Sequence, residues 1–516
     1  MTPRRAVPPA PDLLVVVDAK AADPLHRQVY AGLRDAIVAG RLPTGARLPS
    51  TRALASDLHV ARNTVTTAFQ QLRAEGYVAG RTGGGTRVCE VIPDEMLRAR
   101  PLPRTAPPPR AAGSPGGRKE AGRAAPPHAP PPTPALSRRG AALVAAGRIF
   151  PSTAEQPQAF SIGLPALDEF PVKLWARLAV RRWRRPPSLA SGDAAGYEPL
   201  RRAIAAYVAA ARGVRCGFEQ VVIVSGAQHG LDLTARLLLD PGDATWIEDP
   251  GYPGARSAFL GAGARLVPVP VDAEGIRVAE GRRAAPDARL VHVTPSHQFP
   301  LGGSMSPRRR LELLAWAHEA GAWIVEDDYD SEFRYAGRPL PSLQGLDEHG
   351  RVLYLGSFGK TLYPGLRLGY LVVPQRAVDA FAAARSVGDR HPPLFDQAVV
   401  ADFIDQGHFV RHLRRMRRLY AERQQALLEA ARRALDGLLE VPPDAAGIHL
   451  VGELPPGVDA AAAAARAAQH EVRVVPLCRY SSGPRERGAL LLGYAAIPIP
   501  AIHRGVERLA AALAEL

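Results

Sequence analysis

The sequence predicts two folded units of different class: a small α+β unit near the N-terminus and a larger α/β unit with a mostly parallel sheet. Three observations carry this. Between residues 24 and 75, apolar residues recur at helical spacing in three successive stretches, and two short strand-like runs follow. From about residue 158 onward, apolar runs of strand length alternate with amphipathic helical stretches, the pattern of βαβ units. Between the two, residues 93–140 hold 13 of the chain's 50 prolines, including Pro107-Pro108-Pro109 and Pro130-Pro131-Pro132. Such a stretch lacks amide donors for helix or sheet ladders and favours extended, polyproline II-like backbone. The expected organisation is a small domain over 12–92, a flexible basic tether over 93–157 and a large domain over 158–516.

In the small unit, Val29, Tyr30, Leu33, Ile37 and Val38 share one helical face, and Gly40 ends that helix. Leu48-Pro49-Ser50 makes a turn with a capping serine, and a short helix follows with Leu54 and Leu58 inward. A third helix carries Val65, Ala68, Phe69 and Leu72 on its apolar face and Arg62, Asn63, Thr66, Thr67 and Gln70 on the other. Tyr77-Val78 and Arg87-Val88 read as strands joined by the glycine-rich tip Gly83-Gly84-Gly85. Three helices and a hairpin make a winged helix-turn-helix. The third helix presents short polar side chains and one arginine at its N-terminal end, where recognition helices meet base edges in the major groove. A tip without bulky side chains, Gly84 among them, lets its backbone approach phosphates.

In the large unit the expected strands are Val221–Val224, Thr245–Ile247, Leu290–Val293, Trp323–Val325, Val352–Leu355 and Leu368–Val373. Ligands of such sheets bind at the carboxyl ends of the strands, where the polar motifs sit. Ser225-Gly226-Ala227-Gln228 follows the first strand and opens a helix, as a phosphate cradle does. Glu326-Asp327-Asp328-Tyr329-Asp330 follows Trp323–Val325, and Lys360 follows Val352–Leu355. Lys360 is one of only four lysines among 65 basic residues. Arginine cannot deprotonate in a protein, whereas a desolvated lysine can lose its proton and attack an aldehyde. Together these parts suit pyridoxal 5′-phosphate: Lys360 for the aldehyde, Asp327 for the ring nitrogen, Tyr329 for the ring hydroxyl and Arg367 for the phosphate.

Composition limits the alternatives. Three widely separated cysteines give neither a disulfide framework nor a cysteine zinc site. The apolar run Leu13–Val17 is too short for a signal peptide, and no stretch is long enough to span a membrane, so a cytoplasmic protein is expected. Of the net charge of +15, +11 falls in the first 140 residues, which points to an anionic polymer as partner of that end.

Residues 24–88 resemble a GntR-family DNA-binding domain, through Gly45–Ala55, Val60–Val65, Glu75–Tyr77 and Arg81–Thr86. The resemblance implies that Arg52 and Arg62 contact operator DNA, with Asn63, Thr64 and Thr66 on backbone or base edges. Ala61 stands where the family usually has Ser or Thr, which removes a helix cap and implies weaker DNA binding. Residues from about 158 to 516 resemble a fold-type I aminotransferase, specifically the effector domain of the MocR subfamily. The matching blocks are Gly196–Arg201, Ser225–Gln228, Glu248–Tyr252, Thr294–Pro300, Glu326–Phe333 and Ser357–Tyr370. It implies a cofactor aldimine at Lys360, Tyr252 stacked on the ring, Ala227, Gln228, Ser357 and Arg367 around the phosphate, and a homodimer. Arg479 is the candidate grip for an effector carboxylate, with Arg485 or Arg487 as substitutes. Gly359 and Ser191-Gly192-Asp193 depart from the family pattern at two cofactor-side positions. The whole implies a regulator that senses pyridoxal phosphate or an amino compound. A working aminotransferase with an added DNA-binding module, and a cofactor-free dimerisation scaffold, are the two other readings.

Overall fold

The computed structural model describes residues 15, 17–18, 21, 23–81, 85–89, 136–147, 158–187, 191–337, 341–483 and 487–516. The chain divides into two compact units, Met1–Ala129 and Pro130–Leu516.

The first unit is built of α1 (Leu25–Val38), α2 (Thr51–Asp57), α3 (Arg62–Ala74) and an antiparallel hairpin of β1 (Val78–Arg81) and β2 (Gly85–Val88). Val29, Leu33 and Ile37 of α1, Leu54 of α2 and Val65, Ala68, Phe69 and Leu72 of α3 meet in one core, with Leu48, Val78 and Val88. The helical periods of the sequence therefore mark the buried faces directly. Gly40 follows α1 with φ +73°, a backbone that favours glycine. Ser50 caps α2, its hydroxyl accepting from Ala53 N at 3.1 Å. Ala61 holds the same position before α3, with extended backbone (φ −63°, ψ 141°) and no side chain to cap the helix. Gly84 lies outside the described residues.

One expectation fails in the tether. Arg138–Gly147, inside the expected flexible span 93–157, form a helix. The segment holds no proline and is rich in alanine, and Ser137 Oγ accepts from Gly140 N at 3.0 Å at its start. It packs on the helix Pro253–Ala262: a Cβ at Gly261 would collide with Leu143.

The second unit is centred on an eight-stranded sheet in the order β3-β10-β9-β8-β7-β4-β5-β6. Its strands are β3 (Val221–Val224), β4 (Ala244–Asp249), β5 (Arg265–Asp272), β6 (Gly275–Ile276), β7 (Leu290–Val293), β8 (Trp323–Asp328), β9 (Val352–Ser357) and β10 (Gly369–Val372). Neighbours from β9 through β5 are parallel, and β10 runs antiparallel to both β3 and β9. All six expected strands are present. β5 and the two-residue β6 are additions: Pro268 and Pro270 disguise β5, and they are tolerated because β5 pairs with only the two residues of β6 on its outer side. Helices such as Glu198–Arg212, Ala227–Leu238, Pro307–Glu319 and Leu394–Asp405 bury the sheet in three clusters. A C-terminal subdomain follows the 27-residue helix His408–Ala434 and is built on β11 (His449–Glu453), β12 (Val475–Pro476) and β13 (Ala489–Gly493).

Candidate functional site

On the first unit, Arg52, Arg62 and Asn63 are exposed and Thr64 and Thr66 half-exposed, all at or beside the N-terminal end of α3 or on α2. The hydroxyl of Thr66 donates to Arg62 O at 2.9 Å, which leaves its lone pairs outward. Arg47, to which the sequence reading gave no role, is exposed at the base of the wing: a Cβ on Gly85 would stand 2.9 Å from its Nε. Basic and short polar groups of α2, α3 and the wing are thus open to solvent.

On the second unit, the carboxyl ends of β3, β4, β7, β8 and β9 lie along one edge of the sheet and gather the expected groups. β8 delivers two adjacent carboxylates to opposite faces, because strand side chains alternate. Asp328 turns away, accepting from Arg212 Nε at 2.8 Å and from the Tyr354 hydroxyl at 2.6 Å. This pairing holds its carboxyl below the usual range against the cost of burial. Asp327 is buried and faces His292 of β7, with Oδ2 3.3 Å from His292 Nε2.

Lys360, three residues beyond β9, is half-buried and donates to Gly163 O at 2.6 Å. Burial holds its pKa below the ordinary lysine value, although the charges of Asp330 and Asp327 work in the opposite direction. Gly163 has φ +74°, and a Cβ there would stand 2.9 Å from Lys360 Nζ. No local feature of the sequence marks Gly163; it comes to the site only through the fold.

Gly226 (φ 87°) starts the helix Ala227–Leu238, whose first amides point into the same edge. Arg367, held in left-handed backbone at φ 50°, lies over that helix end: a Cβ on Gly226 would stand 3.7 Å from its Nη1. Gln228 donates through Nε2 to Gly254 O at 2.9 Å, while its buried Oε1 has no partner among the described residues. Ser357 closes β9 and its hydroxyl accepts from Gly359 N at 3.1 Å. Tyr252 faces this region from the loop after β4, its hydroxyl pKa pushed up to about 12 mainly by burial. It meets Phe299 edge-on at 5.8 Å, and Phe299 meets Tyr329 edge-on at 5.7 Å.

Tyr329 is joined to a group not assigned from the sequence. Its hydroxyl lies 2.9 Å from His297 Nδ1, and His297 also contacts Asp330 at 3.0 Å and Asp444 at 3.2 Å. Glu248, likewise unassigned, accepts from the Thr294 hydroxyl at 2.7 Å and is pushed up to about 7 by burial. Arg479 is not brought inward: it is exposed on the turn Leu477–Tyr480 and makes no ion pair among the described residues. Its neighbours Leu477 and Tyr480 are buried with Leu491, against Ile162 and Phe299, so the wall beside Gly163 is apolar. Arg485 lies outside the described residues, and Arg487 pairs with Glu453 at 2.8 Å.

A desolvated lysine, a buried carboxylate, a phenol, a helix N-terminus with an arginine above it and an unpartnered buried amide oxygen form a donor set that fits pyridoxal 5′-phosphate. A winged helix-turn-helix followed by such a domain defines a class of DNA-binding regulators with an aminotransferase-like second domain. The comparisons agree: residues 25–88 match the model of bacterial regulatory proteins, gntR family, and residues 160–509 that of aminotransferase class I and II. The chain is 42% identical over 506 residues, 98% of its length and 96% of the relative's, to the probable rhizopine catabolism regulatory protein MocR of Rhizobium meliloti. It is 30% identical over 80% of both chains to the pyridoxine biosynthesis regulator PdxR of Corynebacterium glutamicum. The structure of α-aminoadipate aminotransferase LysN from Thermus thermophilus, complexed with N-(5′-phosphopyridoxyl)-L-leucine, superposes with TM-score 0.65 at 34% identity, over 72% of this chain and 96% of that one. The chain belongs to the MocR subfamily of gntR-family transcriptional regulators, and its second domain is a pyridoxal 5′-phosphate-binding aminotransferase fold. Among the described residues no helix is long and apolar enough to cross a membrane.

Proposed function

We propose that this regulator reads pyridoxal phosphate, or an amine that competes for it, at Lys360 and passes the result to its DNA-binding domain. The observation that carries the reading is Lys360 itself: a lysine with its pKa lowered by burial, beside Asp327, in a chain that otherwise writes arginine. When bound, the cofactor supplies an electrophilic aldehyde for amines. Lys360 would hold it and Asp327 would keep its ring nitrogen protonated. Tyr329 would donate to its ring oxygen, and the helix start at Ala227 and Gln228, with Ser357 and Arg367, would hold its phosphate. Tyr252 and the apolar wall would exclude water. With an amine in its place Lys360 would stand as an ammonium beside Asp327 and Asp330, and that change of charge would bias the domain between two arrangements. Arg52, Arg62, Asn63, Thr64 and Thr66 would hold the operator. Two copies would pair through the exposed apolar face of Val172, Val180 and Trp183.

The test is duplex binding by the full chain, with and without the cofactor and with amines added, for wild type and Lys360→Ala. The reading requires that cofactor or amine changes DNA affinity severalfold in wild type and not in Lys360→Ala. Equal responses in both proteins refute it. Rapid, specific multiple-turnover transamination with one amino donor would favour an enzyme instead.

A further inference from the structure

His297 is buried, and three groups converge on its ring: Tyr329 and Asp330 at Nδ1, Asp444 at Nε2. His449 faces it at 5.7 Å between ring centroids and Gly447 presses on it so closely that a Cβ there would run into the ring. Tyr329 and Asp330 follow β8, whereas Asp444, Gly447 and His449 belong to the C-terminal subdomain. This one side chain therefore joins the ring-side phenol to the second body of the domain.

We propose that His297 is a positioning residue which, held by Asp444 of the C-terminal subdomain, turns the Tyr329 hydroxyl outward as a donor to the cofactor. The inference rests on the reading of Tyr329 as the ring-side phenol. A protonated imidazole has two N–H donors and no ring lone pair, so Nδ1–H can only donate. Asp330 at 3.0 Å and the Tyr329 oxygen at 2.9 Å can only share that N–H as acceptors, and the phenol's own O–H is left free to point into the site. A neutral His297 with its proton on Nε2 would do the reverse: Nδ1 would take the phenol's hydrogen and turn it inward.

The surroundings favour the cation. Despite burial, the charges of Asp330 and Asp444 raise the imidazole pKa to about 10. Of the two carboxylates Asp444 is the firmer anion, since His297 holds it below its usual range while burial pushes Asp330 up. His449 adds no competing charge, being pushed down to about 4 by burial and by His297 itself. Lys360, Asp327 and Glu248 are the other titrating groups near Tyr329 or the cofactor. A shift of the subdomain that withdraws Asp444 would take away the partner that holds Nε2–H, so the charge of His297 beside Tyr329 and the subdomain's position are linked.

The experiment is the pH titration of the visible absorbance of cofactor bound to the full chain. A hydrogen bond donated to the ring oxygen favours its deprotonated form, so losing it raises the midpoint. Tyr329→Phe is expected to raise the midpoint by about one unit, a tenfold change in proton affinity. His297→Gln should shift it the same way, and the double variant no further than Tyr329→Phe alone. Asp444→Asn, which keeps the shape of the site, should give part of the shift and serves where His297→Gln does not fold. A wild-type midpoint in both His297→Gln and Asp444→Asn, with Tyr329→Phe shifted, overturns the proposal, as does an additive double variant. A wild-type midpoint in Tyr329→Phe overturns the ring-side reading of Tyr329 and this inference with it.

Discussion

Ala61→Ser tests how the DNA-binding unit is built. Ala61 and Ser50 precede α3 and α2 with nearly the same backbone, φ −63° with ψ 141° and φ −63° with ψ 152°. At Ser50 the hydroxyl accepts from the third helical amide, Ala53 N, at 3.1 Å. The equivalent amide at α3 is that of Thr64, which now donates to the Ala61 carbonyl at 3.0 Å. A serine at 61 would give the first turn of α3 the acceptor it lacks, worth ~1 kcal/mol. That corresponds to a roughly fivefold change in the local opening equilibrium. The five tryptophans, the first of them Trp175, all lie in the second unit, so fluorescence is blind to this change. Hydrogen exchange of the α3 amides in the full chain is the suitable assay. The amides of α3 should exchange about fivefold more slowly in Ala61→Ser, with helix Ala227–Leu238 unaffected. Affinity for a duplex at low salt should rise if this helix end meets the DNA backbone, where a hydroxyl would donate to a phosphate. Unchanged exchange across α3 refutes the capping argument, and weaker DNA binding refutes the placement of this helix end at the backbone.

Other outcomes follow from the same structure. Arg52→Ala and Arg62→Ala should each lower the slope of log affinity against log salt by about one if each neutralises one phosphate; an unchanged slope removes that arginine from the interface. Gly163→Ala combines left-handed strain, roughly 1–2 kcal/mol, with a Cβ 2.9 Å from Lys360 Nζ. Cofactor dissociation followed by absorbance should be faster, and wild-type retention would contradict the Lys360–Gly163 contact. Burial raises the Glu248 pKa from 4.5 to about 7. A raised carboxyl stabilises the fold fully below its unfolded value and loses that contribution as pH climbs through 7, ~3 kcal/mol in all. Glu248→Gln should therefore flatten the stability profile between pH 4.5 and 7 in denaturant unfolding; a profile parallel to wild type would show that Glu248 ionises freely.

Much of this protein is legible in the chain because its signals are local. The buried faces of α1 and α3 are visible as helical periods, and the six apolar runs of the large unit as strands. Of the groups proposed for the phosphate, Ala227 and Gln228 come from one short stretch, and Ser357 and Arg367 from the stretch that carries Lys360. β5 escapes notice because two prolines interrupt an apolar alternation that only an edge position permits. The helix Arg138–Gly147 escapes because the prolines upstream colour the whole segment.

The sequence alone determines the class of each unit and singles out Lys360, since periodicity, capping and an Arg-to-Lys contrast are properties of neighbouring residues. The tertiary structure gives the two adjacent carboxylates their partners: strand alternation sends Asp328 to Arg212 and leaves Asp327 beside His292. It also brings Gly163 to Lys360 across 197 residues and Asp444 to His297 across 147. No local rule contains such pairings, because they exist only once the sheet has set the order of its strands and the C-terminal subdomain has closed against their ends.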